Sequence, residues 1–352
     1  MVGFGGSAAP AAYAVDVYAT GRLALKTITF GKTGLEVSRL AFGTWEFCSD
    51  WGHADEEAAI AMIRSARELG INFFDTAQQY GFGASERLLG KALRDDLKRS
   101  RDEVVIATKG GLRATDNGLV RDGSRKWLRE GVESSLNALG IDHIDVYLVH
   151  WPDPSTPAAD TAGALAELVS EGKIRHVGVS NYDTAQVREF SETLPVEVVQ
   201  PPYHLFRRDI EHELLPYARE HDIGVMVYGP LAHGLLTGTM KADTSFAAQD
   251  WRGKSDIFSG DGYLRNLEVV ARLESLAAGL GVTISQLAIA RVIAQPGVHV
   301  AIVGAQHLQY LQESSRAADV VLSEGDLVAI DEILGAATPV GGPYPEMHQK
   351  AS

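Results

Sequence analysis

Short apolar runs rich in β-branched residues alternate with longer amphipathic stretches along most of this chain, and this alternation constrains the fold more than any other feature. Eight runs are predicted as strands, at 37–43, 71–74, 103–108, 144–149, 174–179, 196–199, 223–227 and 298–303. Strands that are joined through helices lie parallel, so the pattern indicates an α/β fold. Eight of them favour a closed (β/α)8 TIM barrel over an open doubly wound sheet.

The segments outside this alternation are assigned separately. Residues 1–25 are rich in glycine and alanine and are predicted to form a flexible N-terminal extension. The turn Gly31-Lys32-Thr33-Gly34 lies between two apolar segments, which predicts a β-hairpin in front of the barrel, placed to plug its N-terminal face. The barrel domain is expected to cover 26–336, and 337–352 to form a C-terminal tail.

Composition excludes several classes of function. Of the 352 residues, 46 are acidic and 32 are lysine or arginine, a net charge of −14 that argues against a nucleic-acid binder. The single cysteine, Cys48, excludes an internal disulfide framework and a cysteine-based zinc cluster, and no metal is expected. No apolar run approaches the ~20 residues of a membrane span, and no secretory signal is recognisable. We therefore expect a cytoplasmic protein that binds a small molecule.

Four polar residues stand at or just beyond the ends of successive strands. Asp75, Lys109 and His150 close the second, third and fourth strands, and Tyr80 lies on the loop that leaves the second. In a parallel barrel the chemistry takes place at the C-terminal ends of the strands. Neighbouring strands lie ~5 Å apart, so the four side chains can meet there.

These four residues suit chemistry on a carbonyl group. An ammonium favours the phenolate form of a nearby phenol, which is the role expected of Lys109 toward Tyr80. Asp75 would keep Lys109 charged and oriented, and His150 would donate a hydrogen bond to a substrate carbonyl oxygen. No side chain donates a hydride, so a nicotinamide cofactor is expected as its source.

The chain resembles the aldo-keto reductases over residues 26–335. The resemblance rests on the order and spacing of several motifs, which are Gly31-Lys32-Thr33-Gly34-Leu35-Glu36-Val37-Ser38, Phe74-Asp75-Thr76-Ala77, Tyr80-Gly81 with Ser85-Glu86, Gly172-Lys173-Ile174-Arg175, Gly178-Val179-Ser180-Asn181 and Pro230-Leu231 with Gly234-Leu235-Leu236-Thr237-Gly238. It implies Tyr80 as the general acid and base, tuned by Lys109 and Asp75, with His150 orienting the carbonyl.

The resemblance also implies an extended nicotinamide dinucleotide bound without a Rossmann fold. Ser180, Asn181 and Gln200 would bind its carboxamide, and Tyr228 would stack on the nicotinamide ring. The full set of implied cofactor residues is Gly43, Thr44, Trp45, Asp75, Ser180, Asn181, Gln200, Tyr228, Gly229, Pro230, Leu231, Gly234, Leu236, Gly304, Gln306, Tyr310, Glu313 and Ser314. The expected substrate-binding residues are Trp45, Trp51, Tyr80, His150 and Trp151.

The expected adenosine end departs from the pattern of many relatives. Those relatives carry an arginine or lysine at the position of Gln306 or Tyr310, where it pairs with the 2′-phosphate of NADP. Residues 304–314 contain neither, and Ser314 stands where an asparagine is usual. A charge-assisted hydrogen bond is worth roughly 1.5–3 kcal/mol. We therefore predict that NAD(H) is used as well as NADP(H), or better.

The leading hypothesis is an oxidoreductase, EC 1.1.1, that interconverts an aldehyde or ketone and its alcohol, with a sugar or another polar compound as substrate. Arg252, in the irregular stretch 239–262, would favour a polar or anionic substrate. The alternative is a cofactor-binding protein that resembles the regulatory β-subunits of ion channels and turns over slowly. An unrelated barrel hydrolase has no support, because no paired carboxylates are found at the strand ends.

Overall fold

The structure, a computed structural model, describes residues 25–47, 55–247 and 250–342. The predicted N-terminal extension lies outside the described residues, apart from Leu25. Cys48, Trp51 and the last ten residues of the predicted tail also lie outside them.

Eight parallel strands form a closed barrel, which confirms the predicted (β/α)8 fold. In spatial order, each strand pairs with the next, and the last pairs with the first. The strands of the barrel are β3 (Leu40–Gly43), β4 (Phe73–Asp75), β5 (Val105–Gly110), β8 (Ile144–Val149), β9 (Ile174–Ser180), β10 (Val198–Gln200), β11 (Gly224–Val227) and β12 (Val300–Val303).

Eleven α-helices occur among the described residues, and most of them surround the barrel and bury one face against it. They are α1 (Glu56–Glu68), α2 (Ala84–Ala92), α3 (Arg94–Arg99), α4 (Arg125–Leu139), α5 (Ala158–Ser170), α6 (Thr184–Ser191), α7 (Leu214–Glu220), α8 (Gly260–Gly279), α9 (Ile284–Ala294), α10 (Leu308–Arg316) and α11 (Glu324–Leu334). Reciprocal capping boxes at Asp183 and Thr283 fix where α6 and α9 begin, because each satisfies two otherwise free backbone donors.

The predicted hairpin is present and closes the N-terminal end of the barrel. Its strands β1 (Thr27–Thr29) and β2 (Glu36–Ser38) pair antiparallel. Between them, the fully buried Phe30 packs edge-on against Phe73, with ring centroids 5.4 Å apart. Gly31 adopts a φ of +52°, and a Cβ there would overlap the backbone of Gly224. The hairpin is therefore seated directly on the strand starts.

The structure differs from the predicted elements at several places. The predicted strand 37–43 is divided at Arg39, because its first part pairs with β1 and its second part enters the barrel. The helix predicted from Ile210 begins at Leu214, so that Pro216 falls in its first turn, where no backbone donor is needed. Several elements were not predicted, namely the hairpin of β6 (Leu112–Thr115) and β7 (Gly118–Arg121) and the helices α3, α10 and α11.

No single helix in the described part of the chain is long and apolar enough to cross a membrane. Only α8 and α9 taken together reach that length and composition, and a bend of 89° separates them.

Candidate active site

A buried ion pair lies at the centre of the C-terminal face of the barrel. The Lys109 ammonium lies 2.7 Å from Asp75 Oδ1 and donates a second hydrogen bond to the Thr76 carbonyl, at 2.9 Å. Asp75 ends β4 and Lys109 lies near the end of the adjacent β5, so strand pairing brings the two side chains together. Burial raises the pKa of Asp75 and lowers that of Lys109, while the charge of each partner opposes the shift in the other.

A third strand end holds the other oxygen of the carboxylate. Gln200, the last residue of β10, donates a hydrogen bond of 2.8 Å from its amide to Asp75 Oδ2. Both Asp75 oxygens are thus occupied from opposite sides, and each of these three side chains is at most 5% exposed. The carboxylate therefore holds the lysine in one fixed position.

Tyr80 and His150 face one another beside this pair. The Lys109 ammonium lies 3.5 Å from the Tyr80 hydroxyl and 5.1 Å from the centre of its ring. The ring of His150 meets that of Tyr80 edge-on, with centroids 5.9 Å apart. The structure thus brings together all four residues that were proposed from the strand ends.

His150 is held as a neutral imidazole. Burial lowers its pKa well below 6.5, and the positive charge of Lys109 acts in the same direction. A neutral imidazole carries one N–H donor, which can bind a carbonyl oxygen without delivering a full positive charge into the site.

A polar network next to the tetrad joins the residues that were expected to bind the carboxamide. Tyr228 donates a hydrogen bond of 2.8 Å to Asn181 Oδ1, and Asn181 Nδ2 donates to the His150 carbonyl at 3.0 Å. Ser180 donates to the Gln200 carbonyl at 2.9 Å. Asn181 adopts a φ of +62°, a left-handed conformation that asparagine tolerates better than most residues. Burial raises the pKa of Tyr228 to about 12, so its hydroxyl remains a donor.

A cleft of about 620 Å³ extends from the tetrad toward α10. This volume lies in the range typical of ligand and cofactor sites. Most of the expected cofactor residues line it, as do Trp45, Tyr80, His150 and Trp151 of the expected substrate set. Thr44 and Leu236 do not line it: the Thr44 hydroxyl is bonded to Asp75 O and Ser85, and Leu236 is buried in the core. Trp51 lies outside the described residues.

Several residues that sequence reasoning did not assign also line the cleft. Leu112 and Leu119 reach it from the unpredicted β6–β7 hairpin, and Gln79 precedes Tyr80 on its loop. Glu46 packs its carboxylate against Gly304, and burial raises its pKa to about 7. Glu46 directly follows Trp45, which was assigned to the cleft, so its position in the sequence could have pointed to it. No sequence pattern links the β6–β7 hairpin to the cleft.

The far end of the cleft has little positive charge. Gln306, Tyr310, Glu313 and Ser314 line it, and Tyr310 is 48% exposed. Among the described lining residues, Arg252 is the only lysine or arginine, and its guanidinium forms three hydrogen bonds of 2.6–3.1 Å with Asp250. The charge that was expected to attract an anionic substrate is therefore largely neutralised.

In the described part of the chain, no group of three or more histidine, cysteine or acidic side chains is arranged to hold a metal ion.

Comparison with known proteins identifies clear relatives. The model of the Aldo/keto reductase family matches residues 39–335. An aldo-keto reductase of Bacillus subtilis, YhdN, is 40% identical over 88% of this chain and 94% of its own length. An NADH-specific methylglyoxal reductase of Escherichia coli is 35% identical over 89% of this chain and 99% of its own. Among solved structures, a glycerol dehydrogenase from Gluconobacter oxydans superposes with a TM-score of 0.83 at 35% identity, covering 91% of this chain and 97% of that one.

Proposed function

The chain belongs to the aldo/keto reductase family and is thus an oxidoreductase of carbonyl compounds and alcohols, and we propose that Tyr80 donates and accepts the proton in this reaction. In the reducing direction, the Tyr80 hydroxyl gives its proton to the carbonyl oxygen as that oxygen gains negative charge. In the oxidising direction, the phenolate takes the proton from the alcohol.

The observation that carries this proposal is the position of the Lys109 ammonium between Asp75 and Tyr80. The ammonium nitrogen lies 2.7 Å from Asp75 Oδ1 and 3.5 Å from the Tyr80 hydroxyl oxygen, and Lys109 is only 1% exposed. An ammonium at this distance stabilises the phenolate form of Tyr80, and in a buried site that interaction is weakly screened. Asp75 and Gln200 keep the ammonium from moving away when the proton transfers.

His150 supplies the second interaction with the carbonyl. Its imidazole lies beside the Tyr80 ring at the floor of the cleft and is neutral at pH 7 because of its lowered pKa. Its N–H donor would bind the substrate oxygen from the side opposite Lys109, which places the oxygen within reach of the Tyr80 hydroxyl. Donors fixed before the reaction stabilise the developing charge without having to reorganise.

The residues along the cleft fit a nicotinamide dinucleotide. Ser180, Asn181 and Gln200 present amide and hydroxyl groups beside the tetrad, and Tyr228 offers an aromatic face. Gly229 and Gly234 have φ values of +70° and +99° and leave the backbone of their loop accessible to a diphosphate. When bound there, the nicotinamide supplies or accepts the hydride that no side chain can provide.

We also propose that NAD(H) is used at least as well as NADP(H). Members of this family use nicotinamide cofactors, typically NADP(H). In this chain, Gln306 and Tyr310 stand at the far end of the cleft without a lysine or arginine between 304 and 314. A carboxylate, Glu313, lines the same region and would repel a 2′-phosphate. The similarity to an NADH-specific reductase supports the same conclusion.

For the substrate, we propose a small uncharged carbonyl compound or the corresponding alcohol, such as a sugar or polyol. Trp45, Trp151, Leu112 and Leu119 line the cleft together with Tyr80, and none of these four residues carries a charge. Arg252 is engaged by Asp250 and so gives little attraction to an anion. Two relatives, a methylglyoxal reductase and a glycerol dehydrogenase, are named for small uncharged substrates.

The test is the substitution Tyr80→Phe, assayed with both cofactors on a panel of aldehydes, ketones, sugars and polyols. We expect activity to fall by at least about 10²-fold while the affinity for NADH, measured by fluorescence titration, changes little. Tyr182→Phe, at a half-buried tyrosine that does not line the cleft, provides the matched control. Near-normal turnover in Tyr80→Phe would contradict the role of Tyr80. Tight dinucleotide binding by the wild type without reduction of any compound would favour the regulatory-subunit alternative.

A further inference from the structure

A second buried carboxylate lies behind the tetrad, on the outer side of the barrel wall. Glu86, in the first turn of α2, is fully buried. It accepts a hydrogen bond of 2.7 Å from the hydroxyl of Thr108, the residue that precedes Lys109 on β5. Because successive side chains of a strand point to opposite faces, Thr108 faces α2 while Lys109 faces the barrel interior.

The surroundings of Glu86 leave it close to one buried cation. The charged groups that act on it are Lys109, through the wall of the barrel, and Arg87, which is exposed on α2 itself. The other polar side chains nearby are uncharged, and they are Thr108 on β5, Ser135 on α4 and Tyr147 on β8. Arg87 has the larger effect of the two cations on Glu86, and Lys109, the one that is buried, acts in the same direction.

Two features favour the ionised form of Glu86 in spite of its burial. The hydroxyl of Thr108 donates to it, and the two nearby cations, Arg87 and Lys109, favour a negative charge there. Burial raises the pKa of Glu86 on balance, although Ser135, Thr108 and the two cations act in the opposite direction. The Lys109 ammonium is therefore acted on by two buried carboxylates, Asp75 inside the barrel and Glu86 across its wall.

We propose that Glu86 is a positioning residue that keeps Lys109 protonated and thereby sets the pH range in which Tyr80 can act as the acid. Asp75 alone could accept the proton of Lys109, because a neutral pair is favoured over an ion pair in a dry site. A second carboxylate across the barrel wall opposes that transfer. Glu86 does not touch the cleft, so its effect on the reaction passes through Lys109. This inference rests on the proposed role of Tyr80.

The same segment also fixes the loop that carries Tyr80. Ser85 donates to the Thr44 carbonyl at 2.9 Å, and its amide bonds to the Tyr80 carbonyl at 3.2 Å. Between them, Gly81, Phe82 and Gly83 all have positive φ. Glu86 is therefore linked to both the loop that carries Tyr80 and the strand that carries Lys109. A purely structural role of Glu86 must be separated from an electrostatic one.

The experiment compares the pH dependence of carbonyl reduction in Glu86→Gln, Glu86→Asp and Thr108→Val. Loss of a negative charge makes both Lys109 and Tyr80 titrate at lower pH. In Glu86→Gln the alkaline limb of the pH–activity profile should therefore move to lower pH by about one unit. Glu86→Asp keeps the charge and should retain the wild-type midpoint. Thr108→Val removes a donor to the carboxylate and should shift the limb in the same direction by less. Glu57→Gln, at an exposed position of α1, makes the same change in net charge and should leave the alkaline limb where it is in the wild type.

A measurement without turnover separates this inference from the proposed function. The ultraviolet difference spectrum between each variant and its Tyr80→Phe counterpart reports formation of the Tyr80 phenolate directly, and it should show the same shifts. The contradicting result is a Glu86→Gln variant with reduced activity or thermal stability in which the midpoints of the pH–activity profile and of phenolate formation stay unchanged. In that case Glu86 is only structural and the proposal is wrong. If Glu86→Gln does not fold, the other variants decide. Equal midpoints in Thr108→Val, Glu86→Asp and the wild type would then overturn the proposal.

Discussion

The two ends of the cleft are built in different ways. At the tetrad end, Asp75, Lys109 and Gln200 come from three strands of the barrel, are nearly inaccessible to solvent, and bond to one another at 2.7–2.8 Å. At the far end, Gln306 is exposed and Tyr310 is 48% exposed, and both belong to the region where β12 passes into α10. The reacting groups are thus part of the core, while the groups that would meet the adenosine are part of the surface.

This difference separates chemistry from selectivity. A substitution at the tetrad end disturbs a closed set of buried charges and is expected to affect both turnover and stability. A substitution at the far end changes an exposed side chain, for which effects on stability are usually small. Cofactor preference can therefore change within this scaffold while the reaction remains the same.

The largest expected effect is that of Lys109→Met, which removes the buried ammonium but keeps much of the side-chain volume. We expect a loss of activity of about 10³-fold, because Tyr80 loses the charge that stabilises its phenolate. We also expect the free energy of unfolding to fall by about 3–5 kcal/mol, because the Asp75 carboxylate is left buried without its partner. Steady-state kinetics and urea denaturation measure the two effects.

The matched control is the double variant Asp75→Asn with Lys109→Met. It removes both charges, so it should recover part of the stability that Lys109→Met loses while remaining inactive. Equal stability of the single and double variants would mean that the pair is not a coupled unit. The contrast between the two ends of the cleft would then lose its physical basis.

A smaller effect is expected at the far end from Gln306→Arg. An arginine there can pair with a 2′-phosphate, so kcat/KM with NADPH should rise about 10- to 100-fold relative to NADH. Because Gln306 lines the cleft far from the buried tetrad, kcat with NADH and the melting temperature should change little.

Gln309→Arg adds the same charge to an exposed position on α10 that does not line the cleft, and it should leave the cofactor ratio unchanged. A wild type that already prefers NADPH by a large factor would contradict the proposed use of NAD(H). An unchanged ratio in Gln306→Arg would instead place the adenosine away from this residue.

The contrast also explains which parts of the molecule could be predicted from the sequence. The barrel was predictable because buried parallel strands read as apolar runs, and eight of them alternate with helices. The convergence of Asp75, Lys109 and His150 followed from their positions at strand ends, without knowledge of any contact. The β6–β7 hairpin was missed because it lies between β5 and α4 as an insertion, and only its tertiary contacts bring Leu112 and Leu119 to the cleft.

Two further residues, Arg252 and Gln200, make contacts that were not predicted from the sequence. Arg252 was predicted from its charge to favour a polar or anionic substrate, and its hydrogen bonds to Asp250 within a local turn offset that charge. Gln200 was assigned to the cofactor by resemblance, while its hydrogen bond to Asp75 joins residues 125 positions apart. The Gln200 contact depends on the closed barrel and leaves no mark in the local sequence, whereas the Asp250–Arg252 pair lies within one turn.

The smallest effect concerns the loop that connects the two ends. His233 lies on this loop with a φ of +56°, and its ring packs edge-on against Trp251 at 4.9 Å. Burial lowers its pKa to about 4. In the unfolded chain the imidazole binds a proton near pH 6.5, so the unfolded state binds more protons than the folded state below that pH. Stability should therefore fall as the pH decreases from 6.5 toward 4.

The substitution His233→Gln should remove this part of the acid sensitivity. Between pH 7 and pH 5 we expect the wild type to lose on the order of 1 kcal/mol more of its unfolding free energy than the variant does, measured by urea denaturation at each pH. His307→Gln removes an imidazole that is exposed at the far end of the cleft and serves as the control for the loss of a histidine. If His233→Gln and His307→Gln behave alike, the connecting loop is solvated like the adenosine end. It would then belong to the adaptable part of the cleft rather than to the core that holds the tetrad.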